Sequence, residues 1–178
     1  MAHIDDSPII RASLWIPPTG DALDKIQHVI HLVHRRGGGP HLRPHVTLLS
    51  GIERTQASAE VKLKHLAARI KPFTIELGRI EWRNDYFRCL YATVTLSEEL
   101  AAAQRAAHEI FEMMPPVPYE PHLSLLYGNI GETLKKELAA EIGGGVNISF
   151  TATCLQLVNA SPSVPVTSWK ALSERTLG

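Results

Sequence analysis

Two nine-residue segments of the chain are nearly the same, and their repetition is the strongest constraint on its fold. The first runs from Arg43 to Gly51 and reads Arg-Pro-His-Val-Thr-Leu-Leu-Ser-Gly. The second runs from Glu120 to Gly128 and reads Glu-Pro-His-Leu-Ser-Leu-Leu-Tyr-Gly. Each places a histidine and a hydroxyl residue two positions apart in an apolar run, where strand alternation points both side chains to one face. The pairs are His45 with Thr47 and His122 with Ser124.

The spacing between these segments recurs elsewhere in the chain. The two histidines are 77 residues apart, and so are Phe73-Thr74 and Phe150-Thr151, which open two predicted strands. Asp21 and Glu98, which lie at two predicted helix starts, are also 77 residues apart. A constant offset through helix, strand, helix and strand indicates a duplication. We therefore predict a single bilobal domain over residues 1–178, with pseudo-repeats at approximately 21–97 and 98–174.

Hydrophobic periodicity predicts helices and strands that follow the same order in both halves. In the first half we expect strands at 10–16, around His45, at 73–80 and at 86–96, and helices at 21–35 and 58–70. In the second half, Ser97 caps a helix whose apolar stripe runs to Met114, and a break at 115–118 precedes the strand with His122. A helix at 132–142 and strands at 148–158 and 166–172 complete it. These elements predict an α+β fold whose two lobes turn antiparallel sheets toward a central cleft, with helices packed outside.

Composition narrows the class of protein. Lys plus Arg and Asp plus Glu number 18 each, so no net charge steers nucleic acid toward the chain. Cys89 and Cys154 have neither a CxxC spacing nor the pattern of a structural zinc site, which favours a reduced protein. The first residues include Asp5 and Asp6 rather than a signal peptide, and no segment approaches the roughly 20 apolar residues that span a bilayer. We expect a cytoplasmic monomer without membrane contact.

Two histidines and two hydroxyls in one cleft suit the hydrolysis of a cyclic phosphodiester. Imidazole titrates near neutrality, so one ring can take a proton from water while the other gives one to the departing ribose oxygen. The hydroxyls of Thr47 and Ser124 can stabilise the charge that builds on the non-bridging phosphate oxygens. The mechanism requires neither metal nor cofactor, and the sequence does not say which histidine is the base. Either motif alone would also fit an ordinary half-buried strand.

The doubled His-x-Thr/Ser motif resembles the two-histidine phosphoesterase superfamily. Within it, residues 43–48, 86–89 and 118–128, together with Trp169, are similar to the cyclic phosphodiesterases known from plants and yeast. The resemblance implies metal-independent opening of 2′,3′-cyclic nucleotides to 2′-phosphates, with ADP-ribose 1″,2″-cyclic phosphate as a related substrate. It also implies a site of His45, Thr47, His122 and Ser124, lined for substrate binding by Trp15, Phe87 and Tyr127. Arg88 stands where we expect an uncharged amide in plant relatives, which bears on base or ribose preference.

Trp15 and Tyr127 each have a second interpretation. Trp15 lies in an apolar strand and would fit the core equally well. Tyr127 lies three residues after Ser124, so a regular strand would point it away from the cleft, and only a strand end or bulge would turn it inward.

Other clusters of polar residues do not suggest a site. His28, His31 and His34 lie on the flank and back of a helix without a nearby carboxylate to complete a metal site. Arg35, Arg36 and Arg43 could meet a second phosphate or solvate a loop, and His41 could reach the mouth of the cleft. The glycines at 37–39 lack the Lys-Ser/Thr of a phosphate-binding loop.

Three alternative functions remain open from the sequence. The first is an enzyme of the same superfamily that acts on RNA termini carrying cyclic phosphates or on 2′-5′ linkages. The second is a nucleotide-binding module without catalysis. The third is a metal-dependent hydrolase, which chelation would reveal.

Overall fold

The computed structural model describes residues 7–115 and 118–178. Asp5 and Asp6, and residues 116–117 of the predicted break, lie outside the described residues. The α+β class and the antiparallel strands predicted from the sequence are confirmed. In chain order the elements are β1 (Ile9–Ile16), α1 (Gly20–Gly37), β2 (Val46–Thr55), α2 (Gln56–Arg69), β3 (Phe73–Glu81), β4 (Leu90–Val94), α3 (Glu98–Phe111), β5 (His122–Leu126), α4 (Glu132–Ile142), β6 (Ser149–Ala152), β7 (Cys154–Asn159) and β8 (Lys170–Thr176).

The strands form one antiparallel sheet in the order β6-β3-β4-β5-β2-β1-β7-β8. β6 is an edge strand and pairs with β3, whereas β7 pairs with β1 near the opposite edge. A single residue, Thr153, joins β6 to β7. The sheet therefore has to curl until its two ends approach each other, which makes one face concave.

The centre of the sheet is the contact between the two motif strands. Val46 of β2 pairs with Leu123 of β5, and these residues are themselves 77 positions apart. Because the strands are antiparallel, the neighbours on either side oppose one another crosswise. His45 therefore lies across from Ser124, and Thr47 lies across from His122, with all four on one face.

The other face of the sheet carries the apolar core. Alternation along β1 sends Leu14 and Ile16 into this core and leaves Ser13 and Trp15 on the cleft side. α1 packs on β5 and α4, and α3 packs on β2, β3 and α2. The largest fully buried core side chain is Phe111, at the end of α3. The helices thus fix the rear of the sheet and leave its front free for a site.

Capping residues account for the helix ends. Ser97 accepts a hydrogen bond from the Leu100 amide, as predicted, and begins α3. Thr55 accepts one from Ser58, so α2 begins at Gln56 rather than at Ser58. The predicted extension of the α3 stripe to Met114 is wrong, because Glu112 takes a left-handed conformation and ends the helix at Phe111. Met114 is 90% exposed.

Three predicted strands are shorter or interrupted. Residues 86–88 form a 3-10 helix, because the Asp85 carboxylate accepts hydrogen bonds from the amides of Phe87 and Arg88. Residues 166–168 form a second 3-10 helix before β8. The predicted strand 148–158 is two strands that pair with different partners, so Thr153 marks a change of position within the sheet.

Within the described residues, no helix combines the length and apolarity that a bilayer crossing requires. Cys89 and Cys154 are both buried free thiols.

Candidate active site

A cleft of about 960 Å³ lies on the concave face of the sheet. All four residues of the two motifs line it, as do the three aromatic residues predicted at the site. Trp15 lies on β1, Thr47 lies on β2, and His122 and Ser124 lie on β5. These three strands are adjacent in the sheet. Sequence reasoning thus placed these seven residues around one cavity, and the structure brings them together there.

The two histidines are held in the same way. His45 Nδ1 lies 2.7 Å from the carbonyl oxygen of Arg43, and His122 Nδ1 lies 2.9 Å from that of Glu120. A carbonyl oxygen only accepts, so Nδ1 carries the proton and donates in both rings. In the neutral rings, each Nε2 therefore carries a lone pair. Each histidine is thus prepared to accept or return one proton at Nε2.

The surroundings of the two rings differ. The indole of Trp15 stacks on His45 with 3.5 Å between ring centroids and 6° between planes. Tyr91 instead meets His122 edge-on, at 5.3 Å. The pKa of His45 is lowered to about 4, chiefly by burial and to a smaller extent by the nearby His122, although the hydrogen bond to the Arg43 carbonyl raises it. His45 is therefore neutral at pH 7.

Burial also lowers the pKa of His122, and the hydrogen bond to the Glu120 carbonyl opposes this effect. The positive charges of Arg88 and Arg83 lower the pKa further, while the Glu120 carboxylate raises it. Charged side chains therefore surround His122, whereas an aromatic ring covers His45.

The two hydroxyl groups are in different states. Ser124 Oγ donates to the carbonyl oxygen of Phe87 at 3.0 Å, so its single proton is engaged. The Thr47 hydroxyl makes no hydrogen bond to any residue in the ranges 7–115 and 118–178. The Thr47 backbone carbonyl accepts a bond from the Tyr119 hydroxyl at 2.9 Å, which fixes β2 at this point. Thr47 is thus the more available donor for an anion in the cleft.

The aromatic residues divide into a buried pair and a half-exposed pair. Trp15 and Tyr127 are buried in the wall of the cleft. Tyr127 reaches this wall because β5 ends at Leu126 and its pairing with β4 shifts register between Leu90 and Tyr91. Phe87 is only half-buried, and so is Trp169, which the predicted site did not include. Their rings lie 6.0 Å apart with 22° between planes.

A turn before β4 positions Phe87 and Arg88 at the cleft. The ammonium group of Lys135, on α4, is almost fully buried and donates to the Arg83 carbonyl at 2.8 Å and to the Asn84 side chain at 3.0 Å. Arg88 pairs with the Glu120 carboxylate at 2.6 Å, and Arg83 pairs with it at 2.9 Å. These two bonds hold the pKa of Glu120 at about 2, and they occupy Arg88 before any ligand binds.

The clusters that we discounted lie apart from the motif residues or serve other contacts. Arg36 pairs with Glu137 and Glu141 and so joins α1 to α4. His28 and His31 are exposed on α1, and among the described residues no three His, Cys, Asp or Glu side chains gather as a metal site. His41 and Arg43, however, line a smaller cavity of about 220 Å³ that adjoins the cleft at Trp15 and His45.

The fold and the paired histidines define a known class of protein. The model of the 2′-5′ RNA ligase superfamily matches residues 17–162, and the chain belongs to this superfamily of two-histidine phosphoesterases. Among its relatives, the cyclic phosphodiesterase of Arabidopsis thaliana is 25% identical over 124 residues, which are 70% of this chain and 68% of that protein.

Solved structures show the same fold. Escherichia coli LigT complexed with phosphate is 18% identical, with a TM-score of 0.61 over 96% of this chain and 99% of that one. A crystal structure named as a phosphoesterase is also 18% identical, with a TM-score of 0.62 over 95% of this chain and 98% of that one.

Proposed function

We propose that this protein is a cyclic phosphodiesterase that hydrolyses 2′,3′-cyclic nucleotides to 2′-phosphates. ADP-ribose 1″,2″-cyclic phosphate is a related substrate, opened to the 1″-phosphate. The observation that carries the proposal is the matched anchoring of His45 and His122. Both rings lie on one wall of one cleft, and both are fixed at Nδ1 by a carbonyl oxygen. The relative from Arabidopsis supports the same class of reaction.

His45 acts as the general base and His122 as the general acid. Because the pKa of His45 is about 4, its Nε2 is unprotonated at neutral pH and takes a proton from the attacking water. His122 is protonated in the complex with substrate, because the negative charge of a bound phosphodiester favours the imidazolium form. The water oxygen forms a bond to phosphorus, the bond from phosphorus to the ribose O3′ breaks, and O3′ takes the proton from His122.

Thr47 and Ser124 bind the non-bridging oxygens. The Thr47 hydroxyl donates directly, because it has no competing partner among the described residues. Ser124 donates only after it releases the carbonyl oxygen of Phe87. Ligand binding is therefore coupled to the position of the Phe87 backbone, next to the ring that contacts the base.

Phe87 and Trp169 form the surface for the nucleobase. Both rings are half-buried and line the cleft, so each offers an accessible face or edge. Stacking on such rings is worth about 1–3 kcal/mol per base and tolerates different bases. Trp15 and Tyr127 support this surface from behind, where Trp15 also holds His45 in place.

The direct test is turnover of all four 2′,3′-cyclic nucleotides and of ADP-ribose cyclic phosphate in EDTA, with products identified by phosphorus NMR. We expect 2′-monophosphates from the nucleotides and a bell-shaped pH profile. His45→Ala and His122→Ala should each remove most activity, whereas His65→Ala, on the exposed side of α2, should retain it. Near-normal turnover by the double variant would end the proposal, and loss of wild-type activity in EDTA would indicate a metal-dependent hydrolase.

A further inference from the structure

The cleft continues well past the motif residues. We name this continuation the distal arm. It follows β1 from Trp15 to Arg11, and four residues of strand span about 13 Å. The aromatic surface of Phe87 and Trp169 belongs to the rest of the cleft, on the other side of the histidines. The arm is lined by Arg11, Ser13, Ser50, Glu53, His108 and Met113.

A bulge in β2 shapes the distal arm. Ala12 pairs with Ile52 and Leu14 pairs with Leu49, so Ser50 and Gly51 together oppose the single residue Ser13. Gly51 has a φ of 75°, which a residue with a side chain adopts only with strain. In the second motif, Tyr127 stands 77 residues after Ser50. At equivalent positions of the two motifs, Tyr127 fills one side of the cleft, whereas Ser50 leaves the other side open.

Two buried polar side chains in the arm have unused hydrogen-bonding capacity. Ser13 is 6% exposed, and its hydroxyl makes no hydrogen bond within the described part of the chain. His108 is 7% exposed and donates from Nδ1 to the Met113 carbonyl at 3.1 Å. Its Nε2 makes no bond to another described residue, so it remains available to a ligand. Both residues are more than nine-tenths buried, and polar side chains so enclosed are normally paired, so these two unpaired atoms at the surface of the cleft point to a ligand.

The charges of the arm decide what kind of ligand fits. Arg11 is paired with Glu53 at 3.0 Å, and none of the other four residues named above as lining the arm is an Arg, Lys, Asp or Glu. A chain of phosphates would need unpaired cations, which bind it strongly and in a salt-dependent way. The arm instead offers a hydroxyl, an imidazole nitrogen and the thioether of Met113. This combination suits the hydroxyls and ring of a nucleoside.

We propose that the distal arm binds a second nucleoside, joined through one phosphate to the nucleotide that carries the cyclic phosphate. This inference rests on the proposed function and specifies the size of the substrate. The preferred substrate contains two nucleosides. A third nucleotide gains nothing, because the arm ends at the Arg11–Glu53 pair.

The test compares kcat/KM for a 2′,3′-cyclic mononucleotide with the di- and trinucleotides that end in it, and with ADP-ribose cyclic phosphate. We expect the wild-type protein to favour the dinucleotide about tenfold, as two added hydrogen bonds would. The trinucleotide should equal the dinucleotide, and the ratio should persist between about 50 and 200 mM salt.

Two variants assign the preference to the arm. Ser13→Ala and His108→Asn should each lower the dinucleotide-to-mononucleotide ratio about 3- to 10-fold. Asparagine keeps a donor for the Met113 carbonyl and removes only the Nε2 atom. Ser173→Ala and His65→Asn, which change a strand serine and a helix histidine outside the cleft, are the matched controls and should leave the ratio unchanged.

Each contrary outcome has a distinct meaning. Equal kcat/KM for mono- and dinucleotide would overturn the proposal and leave the cyclic phosphodiesterase intact. So would a ratio that rises with each added nucleotide and falls steeply with salt, or a variant effect confined to ADP-ribose cyclic phosphate. Turnover of none of these substrates would instead remove the proposed function, and the second nucleoside with it.

Discussion

Acid should destabilise this protein through His45. The pKa of that side chain is about 4 in the folded protein, chiefly because it is buried, against an ordinary value of 6.5. The unfolded chain therefore binds a proton at His45 at a pH where the folded protein does not. This contribution to stability is complete above pH 6.5 and is lost progressively as the pH falls toward 4.

The size of the effect follows from the two pKa values. One pKa unit corresponds to about 1.4 kcal/mol, so the full interval is worth about 3 kcal/mol. At pH 5 the folded form is still almost unprotonated at this site, and the loss relative to pH 8 is about 2 kcal/mol. This loss is a large part of the roughly 5–15 kcal/mol that stabilises an ordinary domain.

Urea unfolding followed by tryptophan fluorescence at pH 8 and pH 5 measures the loss. The comparison is between the wild-type protein and His45→Asn, which keeps a donor for the Arg43 carbonyl but does not titrate. Other groups, including His122, titrate in both proteins, so the wild type should lose about 2 kcal/mol more than the variant. His65→Asn, changed at an exposed histidine, should behave as the wild type does. Equal losses of unfolding free energy in the wild type and in His45→Asn would refute the conclusion that His45 is buried and neutral.

Three further measurements test the surroundings of the site and the core. Trp15→Leu should raise the pKa of His45, because the stacked indole contributes to the burial of that ring. NMR titration of His45 would show the rise in pKa, and the acidic limb of the kcat/KM profile should move to higher pH. Arg88→Gln should raise the pKa of His122, since the guanidinium disfavours the imidazolium, and an unchanged titration would contradict this. Phe111→Ala should lower the free energy of unfolding by about 3–5 kcal/mol in urea, and a loss below about 1 kcal/mol would show that this end of α3 is not core.

Local signals in the sequence were sufficient for much of the fold. The helix predicted at 132–142 is α4 to the residue, because its start and the glycines after Ile142 are both local. Ser97 was identifiable as a cap for the same reason. The motif strands were predictable because apolar alternation and proline mark them in the chain. The duplication itself stays a prediction, although the 77-residue offset recurs at the central Val46–Leu123 pair.

The errors concern features that depend on partners distant in sequence. Residues 148–158 are apolar throughout, and only their partners, β3 for one part and β1 for the other, divide them into two strands. Only the resemblance to cyclic phosphodiesterases drew attention to Trp169, because nothing near it in the chain indicates a cleft. His108 carries no motif, and only the ending of α3 beside the β2 bulge brings it to the distal arm. Local patterns could not supply any of these placements.

The two histidines show how equivalent motifs acquire different chemistry. Each motif fixes its histidine by the same rule, a ring nitrogen bonded to the carbonyl oxygen two residues earlier. The difference between them comes from outside the motifs, from the indole stacked on His45 and from the charges around His122. If the motifs alone set the acid and the base, exchanging these surroundings would change nothing. Because burial and charge set the pKa values, a change at Trp15 should favour the proton on His45 and a change at Arg88 should favour it on His122, while both motifs stay intact.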